Sequence, residues 1–205
     1  MNLFTSPPRG FLALALIVAA LAAPAQAQVT KLTKLTIDAE HSAVTFKVRH
    51  LFTKVNGQFR KFEGAIYMDA DDLGASKVVV TIKAASIDTN VEGRDEDLRS
   101  KRFFDVETFP DLTFTSTSIT GVASAAKIRG VLSMHGVSRE VVLDAQFLGS
   151  AKDPWGNQRY GFHAETKVNR KDFRMAWNEV IEAGGVMVGD EVEISLDIEA
   201  VPAKP

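Results

Sequence analysis

The chain contains no cysteine, and this absence excludes disulfide bonds, iron–sulfur clusters and thiol nucleophiles. Histidine is also scarce. The four histidines, which are His41, His50, His135 and His163, show neither an HxH nor an HExxH spacing. A metal site needs three or four donors that converge on one point, so we expect no metal site and no cofactor.

Catalytic motifs are missing as well. No Gly-x-Ser-x-Gly sequence marks a serine nucleophile. The strongest acid–base candidates are Asp95 and Asp97, but Arg94 and Arg99 flank them, and we expect ion pairs there instead. The sequence therefore predicts a protein without enzymatic activity. The alternative is an enzyme that acts on a lipid or envelope substrate, with Asp95 or a histidine as its acid or base.

Charge of one sign is not in large excess, because the formal net charge is −2. We therefore expect no nucleic-acid partner. One apolar run, residues 11–22, precedes the small-x-small sequence Ala-Gln-Ala at residues 25–27. This pattern predicts a secretory signal peptide over residues 1–27 and a single domain over residues 28–205. Its bacterial character indicates a periplasmic protein.

Beyond residue 40, apolar and polar residues alternate, which is typical of strands that bury one face. We predict strands at residues 42–50, 55–68, 77–84, 112–116, 127–135, 139–148, 159–168 and 186–200. A change of face near Arg60 and Lys61 predicts a bulge in the second strand. Because each strand has only one apolar face, the sequence predicts an all-β fold, an eight-stranded antiparallel barrel. A two-sheet sandwich is the alternative.

Residues 86–116 form a segment that is dense in charges of both signs and lies between two predicted strands. The segment predicts a short helix near residues 91–104, with Asp88 or Asn90 as its cap and Phe103-Phe104 anchoring its end. It is either a solvated connection held by its own ion pairs, or a lid or mouth over something apolar.

Large apolar side chains collect on the inward strand faces, and we predict that they contact a ligand. The predicted ligand-binding residues are Phe46, Val48, Phe59, Phe62, Phe104, Phe114, Met134, Trp155, Phe162, Phe173 and Trp177. Glycines at Gly57, Gly64, Gly130 and Gly161 would make room by removing side chains from strands. The same large residues would also serve to fill the barrel as a core, and periodicity alone does not decide between a filled and a hollow barrel.

Several motifs together carry a family resemblance that extends from about residue 37 to residue 198. They include His41-Ser-x-Val-x-Phe-x-Val-x-His50, Ser86-Ile-Asp-Thr89, Arg94-Asp-x-x-Leu98, Phe103-Phe-Asp-Val106, Gly130-x-Leu-x-x-x-Gly136 and Asn169-Arg-x-Asp-Phe173. On these motifs the chain resembles the YceI-like family of bacterial secreted, lipocalin-like proteins. It departs from the family pattern at Asp97, where we expect histidine, and at Arg174, where we expect glycine.

The resemblance implies a lipocalin-like barrel whose hydrophobic pore binds a polyisoprenoid or similar amphiphilic lipid, such as a prenyl quinone. It implies a periplasmic carrier or store rather than an enzyme, and a filled structural or stress-protective barrel is the alternative. We predict that His41, Arg94, Asp95 and Arg99 border the pore mouth or brace the helix. We also expect transient membrane contact. A homodimer would pair exposed strand faces; Val141, Leu143 and Phe147 are the candidates.

Overall fold

The computed structural model describes Met1 and residues 32–180 and 186–203. The predicted signal peptide, apart from Met1, falls outside these residues. The strands are β1 (Thr33–Ile37), β2 (Ala43–His50), β3 (Thr53–Phe59), β4 (Phe62–Met68), β5 (Lys77–Lys83), β6 (Ile87–Asp88), β7 (Asp111–Val122), β8 (Ala125–Met134), β9 (Val137–Lys152), β10 (Gln158–Asn169) and β11 (Val188–Pro202). One α-helix, α1, spans Glu92–Arg99, and short 3-10 helices span Leu73–Ala75, Ala84–Ser86 and Arg170–Phe173.

The sheet closes on itself through its last strand. Its order is β1-β4-β5-β7-β8-β9-β10-β11, and β11 pairs back with β1. Strands β1 and β2 lie end to end along β11, because Ile37 pairs with Ala200 and Ala43 pairs with Asp197. Strands β3 and β4 are likewise one strand interrupted at Arg60. The two-residue β6 likewise continues β5, since β6 pairs with β3 as β5 pairs with β4. When each of the three interrupted pairs counts once, the fold is a closed barrel of eight antiparallel strands, so the barrel prediction is confirmed and the sandwich alternative is wrong.

Burial follows the predicted alternation of apolar residues. On β11, Val192, Ile194, Leu196 and Ile198 pack against the main core cluster. A smaller cluster forms where β1 joins β4 and β11, and there Leu35 is fully buried. Burying a leucine side chain stabilises the fold by about 1.5–3 kcal/mol, so this cluster helps to hold the closure of the barrel.

Strand β9 does not expose the residues that we expected to form a dimer interface. Val141, Leu143 and Phe147 line the interior of the barrel, and Leu143 is buried. The neighbouring residues Glu140 and Asp144 are exposed instead, because successive side chains on a strand point to opposite faces. The prediction that these three residues form an exposed face is therefore wrong, and the dimer loses the surface proposed for it.

Helix α1 is shorter than predicted, and its cap is different. Val91 occupies the cap position without a side-chain hydrogen bond. The Asp88 carboxylate instead accepts the backbone N–H of Asn90 at 2.8 Å, and Asn90 adopts a left-handed φ of 62°. The prediction of Asp88 or Asn90 as the cap is therefore wrong. Among the described residues, no helix is both long enough and apolar enough to cross a membrane.

Candidate ligand-binding cavity

A cavity of about 610 Å3 occupies the interior of the barrel. All eight strand positions contribute to its wall, and most of the lining side chains are aliphatic or aromatic. This volume lies in the range of natural small-molecule sites, about 300–1,000 Å3. The structure therefore has a hollow interior rather than a filled one.

Eight of the eleven predicted ligand-binding residues lie in the cavity wall. They are Phe46, Val48, Phe59, Phe62, Phe104, Phe114, Met134 and Phe162. Their contact with a ligand stays a prediction. Three of these aromatic rings form a continuous row, since the centroids of Phe46 and Phe59 are 5.7 Å apart and those of Phe59 and Phe104 are 5.8 Å apart.

The structure places the other three predicted residues outside the wall. Trp155 is 82% exposed in the turn between β9 and β10, where strand alternation stops and no longer directs a side chain inward. Phe173 is the final residue of the last 3-10 helix and is buried in the core. Trp177 packs edge-on against Phe103 at 5.3 Å and lies 4.3 Å from the Arg102 guanidinium.

The prediction from sequence missed most of the aliphatic wall. Missed lining residues include Ile66, Val78, Val80, Ile128, Leu132, Val141, Leu143, Val192, Ile194 and Leu196. Their signal was present in the sequence, because they occupy the same apolar faces as the predicted aromatic residues. The selection of large aromatic residues passed over them.

One end of the cavity is open to solvent. The exposed residues of its wall all lie there, in the β4–β5 loop, at the β7–β8 turn and on β9. We call this set the mouth: Ala70, Asp71, Gly121, Val122, Ala123 and Gln146. The turn contacts β9 directly, since the Phe147 N–H donates to the Ala123 carbonyl at 2.7 Å.

The opposite end is covered by irregular segments. We call its lining residues the floor: Leu98, Phe103, Phe104, Arg170 and Met175. None of them is exposed. Residues 86–116 therefore cover something apolar, as one of the two predicted interpretations required, but they lie at the closed end rather than at the mouth.

The charged residues of α1 brace the helix. Asp95 is 3% exposed, and its carboxylate accepts the Thr89 N–H at 2.9 Å and the Thr89 hydroxyl at 2.5 Å. Arg94 donates to that same hydroxyl at 2.7 Å. Arg99 donates to the backbone carbonyls of Ala85 and Ile87 at 3.1 and 3.0 Å. These contacts tie the helix to β6 and to the residues around it.

The predicted ion pairs of Asp95 do not form. No salt bridge joins Asp95 to Arg94 or Arg99 within the part of the chain that the structure describes. The hydroxyl of Thr89 takes that place, because it lies between the Asp95 carboxylate and the Arg94 guanidinium. None of the three charged residues lines the cavity.

His41 lies outside the cavity wall, beside a charged cluster near the junction of β1 and β2. Its Nδ1 lies 2.9 Å from a carboxylate oxygen of Asp38. The side-chain atoms of Asp38, His41 and Glu199 that could ligate a metal ion lie within 4.8 Å of one another. The Arg159 guanidinium bridges Asp38 and Glu199 and lowers the pKa of Asp38. This guanidinium already supplies the positive charge that a metal ion would bring.

Arg170 is the one charged residue of the floor, and its hydrogen bonds are saturated. Its five N–H groups donate hydrogen bonds to five acceptors, which are the carboxylate of Asp190 and the carbonyl oxygens of Met175, Trp177, Val188 and Gly189. Burial lowers the pKa of Arg170, and the nearby Asp190 carboxylate opposes that shift. A guanidinium has five N–H donors, so none is left for a ligand.

The two departures from the family pattern also lie away from the cavity wall. Arg174 ends the last 3-10 helix with a left-handed φ of 63°, a conformation that glycine adopts more easily than arginine. Asp97 pairs with Arg102 at 3.2 Å. Neither side chain lines the cavity.

Comparison with known proteins identifies relatives that span most of the chain. The family described as YceI-like domain matches residues 35–200. Protein YceI of Salmonella arizonae is 38% identical over 172 residues, which cover 83% of this chain and 87% of that protein.

Two solved structures are similar in fold. BcnA of Burkholderia cenocepacia aligns with a TM-score of 0.72 at 22% identity, over 80% of this chain and 99% of that one. A polyisoprenoid binding domain from Saccharophagus degradans aligns with a TM-score of 0.60 at 17% identity, over 84% of this chain and 100% of that one. The sequence matches and the shared barrel agree with the resemblance carried by the motifs, and the chain belongs to the YceI-like family.

Proposed function

We propose that this barrel binds a polyisoprenoid or comparable long-chain amphiphilic lipid, such as a prenyl quinone, and carries or stores it in the periplasm. The observation that carries the proposal is the apolar cavity of about 610 Å3, which opens at the mouth and ends at the floor. Support also comes from the Saccharophagus degradans domain, which is described as polyisoprenoid binding.

The cavity volume bounds the length of the bound tail. A cavity of about 150 Å3 holds benzene, which has six carbons. By that scale, 610 Å3 holds roughly 24 carbons, or about five isoprene units. If only half of these carbons are buried, at about 0.8 kcal/mol each, burial of the tail contributes on the order of 10 kcal/mol to binding. This contribution can offset the entropic cost of association even when the ligand makes no specific polar contact.

The polar groups give the ligand a direction. The donors of Arg170 at the floor are all engaged, so the apolar tail ends there. The mouth contains Asp71 and Gln146, which are exposed and polar. The head group of the lipid therefore lies at the mouth, where water and these side chains solvate it.

The enzyme alternative receives no support from the geometry of Asp95. This carboxylate lies outside the cavity wall, and its oxygens accept hydrogen bonds from Thr89. A general acid or base must lie within hydrogen-bond reach of the reacting group. The filled-barrel alternative does not account for the hollow interior.

Mass spectrometry of an organic extract tests the proposal directly. The protein is purified from a periplasmic fraction without detergent, and a prenyl lipid in stoichiometric amount is the expected result. The intact mass reports on export in the same sample, because cleavage after Ala27 leaves Gln28 as the first residue. An empty extract, combined with an unchanged melting temperature after a prenyl quinone is added, would contradict lipid binding.

A further inference from the structure

Two phenylalanine rings of the cavity wall lie directly over glycines of the neighbouring strand. Phe46 on β2 pairs with Gly57 on β3, and a Cβ added to Gly57 would lie 2.2 Å from the tip of the Phe46 ring. Phe114 on β7 leans over Gly130 on β8, where an added Cβ would lie 2.4 Å from the tip of its ring. Both glycines are buried, and both rings face the cavity.

Because these two glycines have no side chain, the rings can lie flat against the wall of the cavity. No real Cβ comes as close as 2.2 Å to a ring carbon, so any side chain at Gly57 must displace the Phe46 ring. Phe59, with its centroid 5.7 Å away, restricts sideways movement, and the cavity is the free space on the other side. The displaced ring would then narrow the bore.

We propose that the two glycine–phenylalanine pairs set the bore of the cavity and make it wide enough for a methyl-branched prenyl chain. This inference rests on the proposed lipid binding and names the residues that determine its specificity. With the rings flat, the bore admits the side methyl groups of an isoprenoid. With one ring displaced, only a narrower unbranched chain passes that point.

Gly57 gives the cleaner test of the two. All three atoms nearest to its added Cβ belong to the Phe46 ring, which can move. Gly130 also lies close to the Thr115 backbone, with its carbonyl oxygen 2.7 Å from the added Cβ, so a side chain there strains the strand as well. Gly161 is a matched control on the same barrel, because its nearest neighbour is Leu148 at an ordinary 3.5 Å.

The experiment compares two alcohols, geranylgeraniol, which is methyl-branched, and hexadecan-1-ol, which is not. Both are titrated into delipidated wild-type protein, Gly57→Ala and Gly161→Ala. A steric difference of about one methyl group in an apolar pocket changes affinity by about 10–200-fold. We therefore expect Gly57→Ala to lose at least about tenfold in affinity for geranylgeraniol and less than about threefold for hexadecan-1-ol. Gly161→Ala should bind both alcohols as the wild type does.

A second variant separates the bore from general damage to the fold. Gly57→Ala combined with Phe46→Leu removes the displaced ring and should recover the affinity for geranylgeraniol. Equal losses for both alcohols in Gly57→Ala, or no recovery in the double variant, would overturn the bore assignment. Failure of the wild type to bind either alcohol would instead overturn the proposed lipid binding, so the two failures are distinguishable.

Discussion

The floor and the mouth of the cavity are held in different ways. At the floor, Arg170 donates to four backbone carbonyls, and Arg99, which follows the floor residue Leu98 in the chain, donates to two more. On the β4–β5 side of the mouth, one Asp69 oxygen accepts the N–H groups of Asp71 and Asp72 at 2.9 and 3.0 Å, so the loop is held by its own residues. Irregular backbone can close a barrel only where its polar groups are satisfied, and the arginines supply those donors at the floor.

Replacing Arg170 should break the floor and give the largest effect. Arg170→Met removes the N–H groups that donate to four carbonyls and to the Asp190 carboxylate, although Lys171 still pairs with Asp190 and Asn178 still donates to the Val188 carbonyl. The expected loss is about 3 kcal/mol of unfolding free energy in urea titration. Lys171→Met is the matched control, since Lys171 pairs with the same Asp190 but is exposed. Its loss should stay below about 1 kcal/mol. Equal losses in the two variants would show that the buried carbonyl contacts are not the cause.

A charge introduced into the cavity wall should weaken lipid binding, whereas a charge introduced into an outer turn should not. Phe162→Asp places a carboxylate among apolar lining residues, and we expect at least about a tenfold loss of lipid affinity. Trp155→Asp changes the exposed turn of the same hairpin and should leave affinity unchanged. Lipid extracted from each purified variant gives the measurement. A folded Phe162→Asp protein that keeps its lipid would remove this residue from the binding site.

Loss of one hydroxyl should loosen the brace of α1 without reaching the cavity. Thr89→Val removes the group that connects Asp95 to Arg94, at an expected cost of about 1–3 kcal/mol. Lipid affinity should be unchanged, because none of the three residues lines the cavity. Thr117→Val is a control at an exposed threonine, with an expected change near zero. A large loss of affinity in Thr89→Val at unchanged stability would place Thr89 or its two partners in the binding site instead.

The smallest effect concerns pH. Hydrogen bonding to Asp197 raises the pKa of His163 above its usual 6.5, with a further contribution from Glu165. The charged form is therefore stabilised by folding, so this contribution is complete below pH 6.5 and is lost as the pH rises through the raised pKa. We expect a melting temperature slightly higher at pH 6 than at pH 8, with a smaller difference in His163→Gln. If the melting temperatures of His50→Gln and His163→Gln depend on pH in the same way, His163 is not the source of the pH effect.

The regular part of the barrel was predictable because alternation records which residues face inward. The faces of β5 and β11, and the interruption near Arg60, followed from the parity of apolar residues. Strands β1 and β6 were missed. They have only five and two residues, so alternation has little length in which to appear.

The ends of the barrel were not predictable in the same way. Charge pattern suggested ion pairs for Asp95, whereas its partner is an uncharged threonine six residues earlier. Four of the groups that Arg170 contacts are backbone carbonyls, two in the irregular segment that follows the last 3-10 helix and two at the start of β11, and such groups leave no mark on residue type. We predicted that Trp155 contacts the ligand because its side chain is large and apolar, but the turn that contains it holds the side chain outside the barrel.

The pairing of β11 has a consequence for folding. This strand pairs with β10, β2 and β1, and it joins residues near both ends of the domain, since Pro202 pairs with Leu35. Synthesis runs from the amino terminus, so the ring cannot close before the final strand is available. Contacts this distant in sequence slow the folding rate. The chain therefore exposes its apolar strand faces until β11 is available, and the cavity is the last part of the barrel to form.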